Sequence, residues 1–133
     1  MSLKSIVVEG CSLEFQNGGS PNDGIIISPQ QTSTKVKADE KPVYKTLNFS
    51  IAGYTASADV NPNWVPGSGT GSGEIKSSAQ KTKVEGNMVI LEGDESETIT
   101  ISGMQYHGSS TEPATVDEVV KVTDAGQSKV KGS

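Results

Sequence analysis

His107 and Cys11, one of each in this 133-residue chain, are the side chains best suited to proton transfer, nucleophilic attack or soft-metal ligation near neutral pH. A catalytic nucleophile–base pair would have to be built on that one histidine. No Gly-x-Ser-x-Gly elbow leads into a helix, and Cys11 lies in a strand-like stretch, so neither half of such a pair is in place. Zinc in a structural site takes four protein ligands, a set that one cysteine and one histidine cannot fill. Glu92, Asp94, Glu95 and Glu97 form an acidic group whose spacing does not match a 12-residue helix–loop–helix calcium site. They are expected to form a solvated turn. The run Gly67-Ser68-Gly69-Thr70-Gly71-Ser72-Gly73 invites comparison with a phosphate-binding loop, but no Gly-Lys-Ser or Gly-Lys-Thr follows it. It reads as a flexible connector. His107, in Tyr106-His107-Gly108, is expected at the surface of a polar turn. The inventory points away from an enzyme and away from a resident cofactor.

Charge narrows the partners. The formal net charge is −5 and all eleven basic residues are lysine, so no guanidinium is present for bidentate contacts to phosphate or guanine. Nucleic acid is therefore not an expected partner. Lys35, Lys37, Lys41 and Lys45 form one local basic run, which suits an edge strand kept soluble by charge. The first apolar run, Ile6-Val7-Val8, is shorter than the roughly 7–15 residues of a secretory signal core. Synthesis in the cytoplasm without a signal peptide is the expectation.

These residues must be positioned by strands. Apolar residues make up 32% of the chain, against about 45–50% in an ordinary globular protein on a count that also includes glycine, so a thin core with wet strand faces is expected. Length favours a single domain over 1–133. Within it a phrase recurs: Thr34-Lys35-Val36-Lys37, Thr82-Lys83-Val84-Glu85 and Ser128-Lys129-Val130-Lys131, 48 and then 46 residues apart. Recurrence at this spacing signals copies of one supersecondary unit. Past the phrase, Val43 and Val89 centre a second strand in each of the first two copies. A third strand, Phe49-Ser50-Ile51-Ala52-Gly53 or Ile99-Thr100-Ile101-Ser102-Gly103, alternates with period 2. The units run near 34–53 and 82–103; the third copy keeps only 128–131 and is expected to close an edge or complete the first unit. Ala114–Val122 reads as strand because its four valines restrict χ1 in a helix. Gln16–Gly24 reads as a turn-rich loop, and Trp64, between Pro62 and Pro66, as a cover over the thin core.

The string Thr34-Lys35-Val36-Lys37-Ala38-Asp39, then Lys41-Pro42-Val43-Tyr44, Ser50-Ile51-Ala52-Gly53, the glycine-rich connector, Ala79–Gly86, Leu91-Glu92-Gly93-Asp94 and Ala125–Lys131 resembles the PAAR-like spike-tip proteins of contractile injection machines. These machines are phage tails, type VI secretion systems and extracellular phage-tail-like particles. The resemblance runs from about Ile6 to Lys131. It implies an all-β fold, a small cone or prism of β-hairpins with pseudo-threefold internal repeats. The implied function is a structural tip that caps a trimeric β-helical spike, one tip per trimer, and helps pierce the target envelope. A toxin or effector cargo, transient contact with the target membrane and assembly into a delivered particle belong to the same implication. Ile6, Val8, Val36, Val43, Val84, Val89 and Val130 are the candidates for core and spike-docking base.

The chain departs from the family pattern in two respects. Its nearest match to the Pro-Ala-Ala-Arg tetrapeptide is Glu112-Pro113-Ala114-Thr115, without arginine. Many family members bind zinc through three histidines and a cysteine; here either no metal binds, the favoured reading, or Cys11 and His107 belong to a set completed by atypical ligands. The competing class is a secreted β-sandwich adhesin or carbohydrate-binding module with Trp64 and Tyr54 as contact residues.

Overall fold

The computed structural model describes residues 3–16, 24–54, 65 and 68–133. Trp64, and the 17–23 part of the turn-rich loop, lie outside the described residues. The fold is all-β. Its strands are β1 (Lys4–Ser5), β2 (Ser12–Phe15), β3 (Ile25–Ile27), β4 (Thr32–Ala38), β5 (Lys41–Tyr44), β6 (Asn48–Tyr54) and β7 (Gly69–Glu74). They continue with β8 (Lys83–Val84), β9 (Asn87–Met88), β10 (Ile99–His107), β11 (Ser110–Glu118), β12 (Val120–Asp124) and β13 (Lys131–Gly132). One five-stranded antiparallel sheet has the order β11-β10-β7-β6-β3, and β1-β13, β12-β2, β4-β5 and β8-β9 form two-stranded ladders. The stretch 114–122 is strand, as its valines predicted.

The first two copies share an order of elements. In each of the first two copies a hairpin, β4-β5 or β8-β9, is followed by a strand, β6 or β10, of the large sheet. Both hairpins turn on two residues with positive φ, Asp39 (51°) and Glu40 (68°) in one, Glu85 (47°) and Gly86 (86°) in the other. Two left-handed residues give the turn whose twist matches that of the flanking strands. The turns also set the alignment. Ala38 faces Lys41 across the first and Val84 faces Asn87 across the second, so Ala38 is the counterpart of Val84.

This corrects the reading of Val36 and Val130 as core. Lys37, Lys83 and Lys129 recur every 46 residues, as do Ser33, Ala79 and Ala125, and the valine of the first phrase is two positions out of step. The cause is local. The Ser33 hydroxyl accepts the Lys35 and Val36 amides (3.0 and 2.9 Å), and the β4-β5 register shifts between Thr32 and Lys37. Val36 is turned outward, 39% exposed, and Ala38 takes the buried place. In the third copy the Gln127 side-chain carbonyl captures the Lys129 and Val130 amides (both 2.8 Å), and Val130 is likewise exposed. Such local side-chain bonds compete with ladder pairing.

Two apolar clusters hold the chain together. The larger lies under the five-stranded sheet and includes Val7, Phe15, Leu47, Phe49, Tyr54, Ile101 and Val120; Phe15 meets Tyr54 edge-to-face with centroids 4.9 Å apart. Within it the Tyr54 hydroxyl donates to the buried Glu118 carboxylate at 2.9 Å. The smaller gathers Ile6, Val8, Ala38, Val43, Ala79, Val84, Val89 and Leu91 from the repeats and the N-terminal segment. Thr70, Ser72, Thr100 and Ser102 on the other face of the large sheet are exposed, which accounts for the low apolar content.

The glycine-rich connector is not a connector. Gly69–Glu74 is β7, a central strand between β6 and β10. Gly69, Gly71 and Gly73 alternate with exposed residues, and a Cβ at Gly73 would lie 2.9 Å from both Phe49 and Ile99. Absent side chains let the apolar residues of both neighbouring strands meet over this one.

Candidate functional site

Three parts of the chain meet along one N-terminal segment. Residues 4–9 pair with the end of the third phrase and with residues downstream of the other two: Ser5 and Lys4 with Lys131 and Gly132, Ile6 with Leu91, and Val8 with Val43. The Ile6 amide donates to the Val130 carbonyl (3.0 Å), Val7 to Ile90 (2.9 Å), Val8 to Ala125 (2.9 Å) and Glu9 to Pro42 (3.0 Å). Alternation does the rest, sending Ile6 and Val8 into the small cluster and Val7 into the large one. The segment 4–9, β1 and the two isolated bridges that follow it, is therefore central to the assembly.

Around it the copies touch each other in a closed ring. The Ser33 hydroxyl donates to the Glu85 carboxylate, joining the first copy to the second. Lys81 and Thr82 amides donate to the Ser133 carbonyl (2.8 and 3.0 Å), and the Ser133 amide to the Thr82 hydroxyl (3.2 Å), joining the second to the third. Lys41 Nζ donates to the Gly126 carbonyl (2.6 Å) and Lys129 Nζ lies 3.5 Å from Asp39 Oδ1, joining the third to the first. Sequence reasoning missed these contacts; of the lysines that recur every 46 residues, Lys129 takes part in one. Lys41 is exposed, as expected of the basic run, and its ammonium also reaches the Gly126 carbonyl.

Of the candidate base residues, Ile6, Val8, Val43, Val84 and Val89 meet in the small cluster inside the ring, while Val36 and Val130 lie on its outside. The potential metal ligands are not brought into a set. Among the described residues no group of three or more His, Cys, Asp or Glu side chains is placed to hold a metal. His107 ends β10 opposite Ser110, exposed, with Nδ1 3.4 Å from Glu112 Oε1. The amide of Gln105 (2.7 Å) and the His107 ring hold the Glu112 carboxyl below its usual range. Cys11 is half-buried beside Leu13, Ile25 and Ile27, and burial, with Asp124 adding to it, pushes its thiol up to about 11. A thiol so protonated at neutral pH is a poor nucleophile. Purified protein is expected to carry no stoichiometric zinc by elemental analysis, and His107→Ala to change stability by less than about 0.5 kcal/mol in a denaturant melt, the range of surface substitutions. One metal per chain, lost on replacing either residue, would overturn this.

The acidic group is not simply a solvated turn. Glu95 and Glu97 are exposed, but Asp94 is 4% exposed and accepts the Leu91 amide (2.8 Å), the Ser78 amide (3.1 Å) and the Ser78 hydroxyl. Glu92 accepts the Ala125 amide at 3.1 Å. Tyr54, the adhesin reading's second contact residue, is fully buried. No helix among the described residues is long and apolar enough to cross a membrane. Comparison with protein-family models, curated protein sequences and solved structures gives no match.

Proposed function

We propose that the chain is a non-enzymatic tip that caps the trimeric β-helical spike of a contractile injection machine and leads it through the target envelope. The observation that carries this reading is the set of contacts that join three stretches of the chain carrying one phrase, each to the next, with the segment 4–9 pairing to all three stretches. A ring of near-repeats on one chain can offer similar surfaces to the three identical subunits of a partner, so a monomer docks where an asymmetric protein would match one subunit only. Sheath contraction supplies the work. The tip ends the β-helix, covers its last strand edges, which would otherwise template aggregation, and concentrates force on a small area. The adhesin reading loses one of its two contact residues, since Tyr54 is buried.

The test is co-expression with each β-helical spike protein encoded in the same gene cluster, followed by native mass measurement. One tip per three spike chains is expected, and deletion is expected to leave particles that assemble poorly or contract without penetrating. Failure to bind any spike, together with binding to a glycan array, would move the assignment to the adhesin class.

A further inference from the structure

β11 is the long free edge of the large sheet. It runs for nine residues and pairs on one side with β10, and among the described residues no backbone hydrogen bond reaches its other side. The strand at the opposite edge, β3, has only three residues. A long unpaired edge is a template for another strand, and natural sheets close such edges with short strands, charge or proline. In β11 a proline stands at position 113.

Hydrogen bonds on β10 fix which way the backbone of Pro113 faces. The Met104 amide donates to the Ser68 hydroxyl (3.1 Å), and the Met104 carbonyl accepts the Val65 amide (2.9 Å). Ser68 leads into β7, so both groups of Met104 point to the β7 side of β10 and away from β11. Met104 and Pro113 are therefore an antiparallel pair without mutual hydrogen bonds, in which the backbone groups of both residues point outward. By alternation Thr111, Thr115 and Asp117 share that orientation, and all four residues are exposed. Pro113 thus stands where another residue would offer an N–H to an incoming strand. Only at such a position does a strand carry proline without losing a bond of its own ladder.

We infer that the outer edge of β11 is a pairing surface for a second copy of this chain, and that Pro113 holds it shut. Self-complementarity selects this occupant. Set antiparallel to a copy of itself with Pro113 opposite Thr115, β11 matches all nine of its residues, from Ser110 opposite Glu118 to Glu118 opposite Ser110. Thr111 then faces Asp117 and Glu112 faces Val116, so no two carboxylates stand directly opposite, where like charges would repel. An edge-to-edge contact of this kind is isologous, as in two-fold homodimers. The proline interrupts it twice, once from each strand, because it lacks the N–H that would bond the facing Thr115 carbonyl and sets its ring against that oxygen. The inference goes beyond the spike-tip reading and does not depend on it.

Pro113→Thr tests this. Sedimentation of the folded variant across a concentration series is expected to show the mass moving from one chain towards two, while the unsubstituted protein stays at one. Moving the block two residues along, in Pro113→Thr combined with Thr115→Pro, is expected to restore the single chain. Hydrogen exchange gives a second readout, which the unsubstituted protein alone can supply. There the Thr111, Thr115 and Asp117 amides are expected to exchange faster than those of Ala114 and Val116, which face β10, and in Pro113→Thr they become protected as the dimer forms. A folded Pro113→Thr that stays a single chain, a double variant that still dimerises, a dimer that leaves the three amides unprotected, or unsubstituted protein in which they are already protected would each overturn the inference.

Discussion

Gly69→Ala is expected to destabilise the protein by about 3 kcal/mol, at the top of the range for overpacking a well-packed interior. A Cβ at Gly69 would stand 2.6 Å from the Tyr54 carbonyl oxygen and 2.9 Å from the Tyr54 Cβ, atoms of the neighbouring strand that cannot swing aside. Relief would require β6 and β7 to part at the end of their ladder, where Tyr54 is fully buried and bonded to Glu118. Gly71→Ala is the matched comparison. Its Cβ would come no nearer than 3.4 Å to Ile101 Cγ1 and the Thr100 carbonyl, so its effect should stay within about 1 kcal/mol, the scale of a glycine-to-alanine change in backbone entropy. Thermal melts of the two variants decide the point, with the Gly69 variant melting lower by roughly 10 °C. Equal effects would mean that β7 is not the packed central strand described above.

Asp94→Ala is expected to cost about 3 kcal/mol, because hydrogen bonds to a charged acceptor are each worth roughly 1.5–3 kcal/mol and the buried Leu91 amide would be left without one, while the Ser78 donors, near the surface, would turn to water. The donors are the Leu91 amide, the Ser78 amide and the Ser78 hydroxyl, and together they tie the turn after β9 to the segment that leads into β8. Asp94→Asn keeps one acceptor oxygen and should lose about half as much. Ser78→Ala removes a single donor and should cost about 1 kcal/mol. Urea unfolding of the three variants gives the ranking, and millimolar calcium should leave the wild-type midpoint unmoved. A calcium-dependent rise in the midpoint that Asp94→Ala abolishes would show that the carboxylate serves an ion instead.

Whatever depends on neighbours in the chain was legible. The hairpins are short-range objects, so a lysine–valine phrase followed a few residues on by a second apolar strand located both units, and period-2 alternation located β6 and β10. Register was less legible. Val36 and Val130 carry the phrase by type, but side chains just upstream, Ser33 and Gln127, take up their amides and turn them outward. A hydropathy pattern does not contain that event.

The sequence by itself determined an all-β chain with a recurring hairpin, a thin core and too few proton-transfer or metal-ligating groups for an obvious catalytic set. Only the tertiary structure decided that the segment 4–9 is where distant parts of the chain meet, since pairing partners distant in sequence are chosen by burial and leave no mark on either partner alone. It also decided the role of the alternating glycines. Gly-x-Gly-x-Gly has the composition of a linker, and it becomes a central strand because Phe49, Ile99 and Ile101 on its two neighbours occupy the space that its missing side chains leave. For the same reason Asp94 could not be told from Glu95 or Glu97: a carboxylate is structural when it is buried and donors from separate segments converge on it, and convergence is a property of the fold.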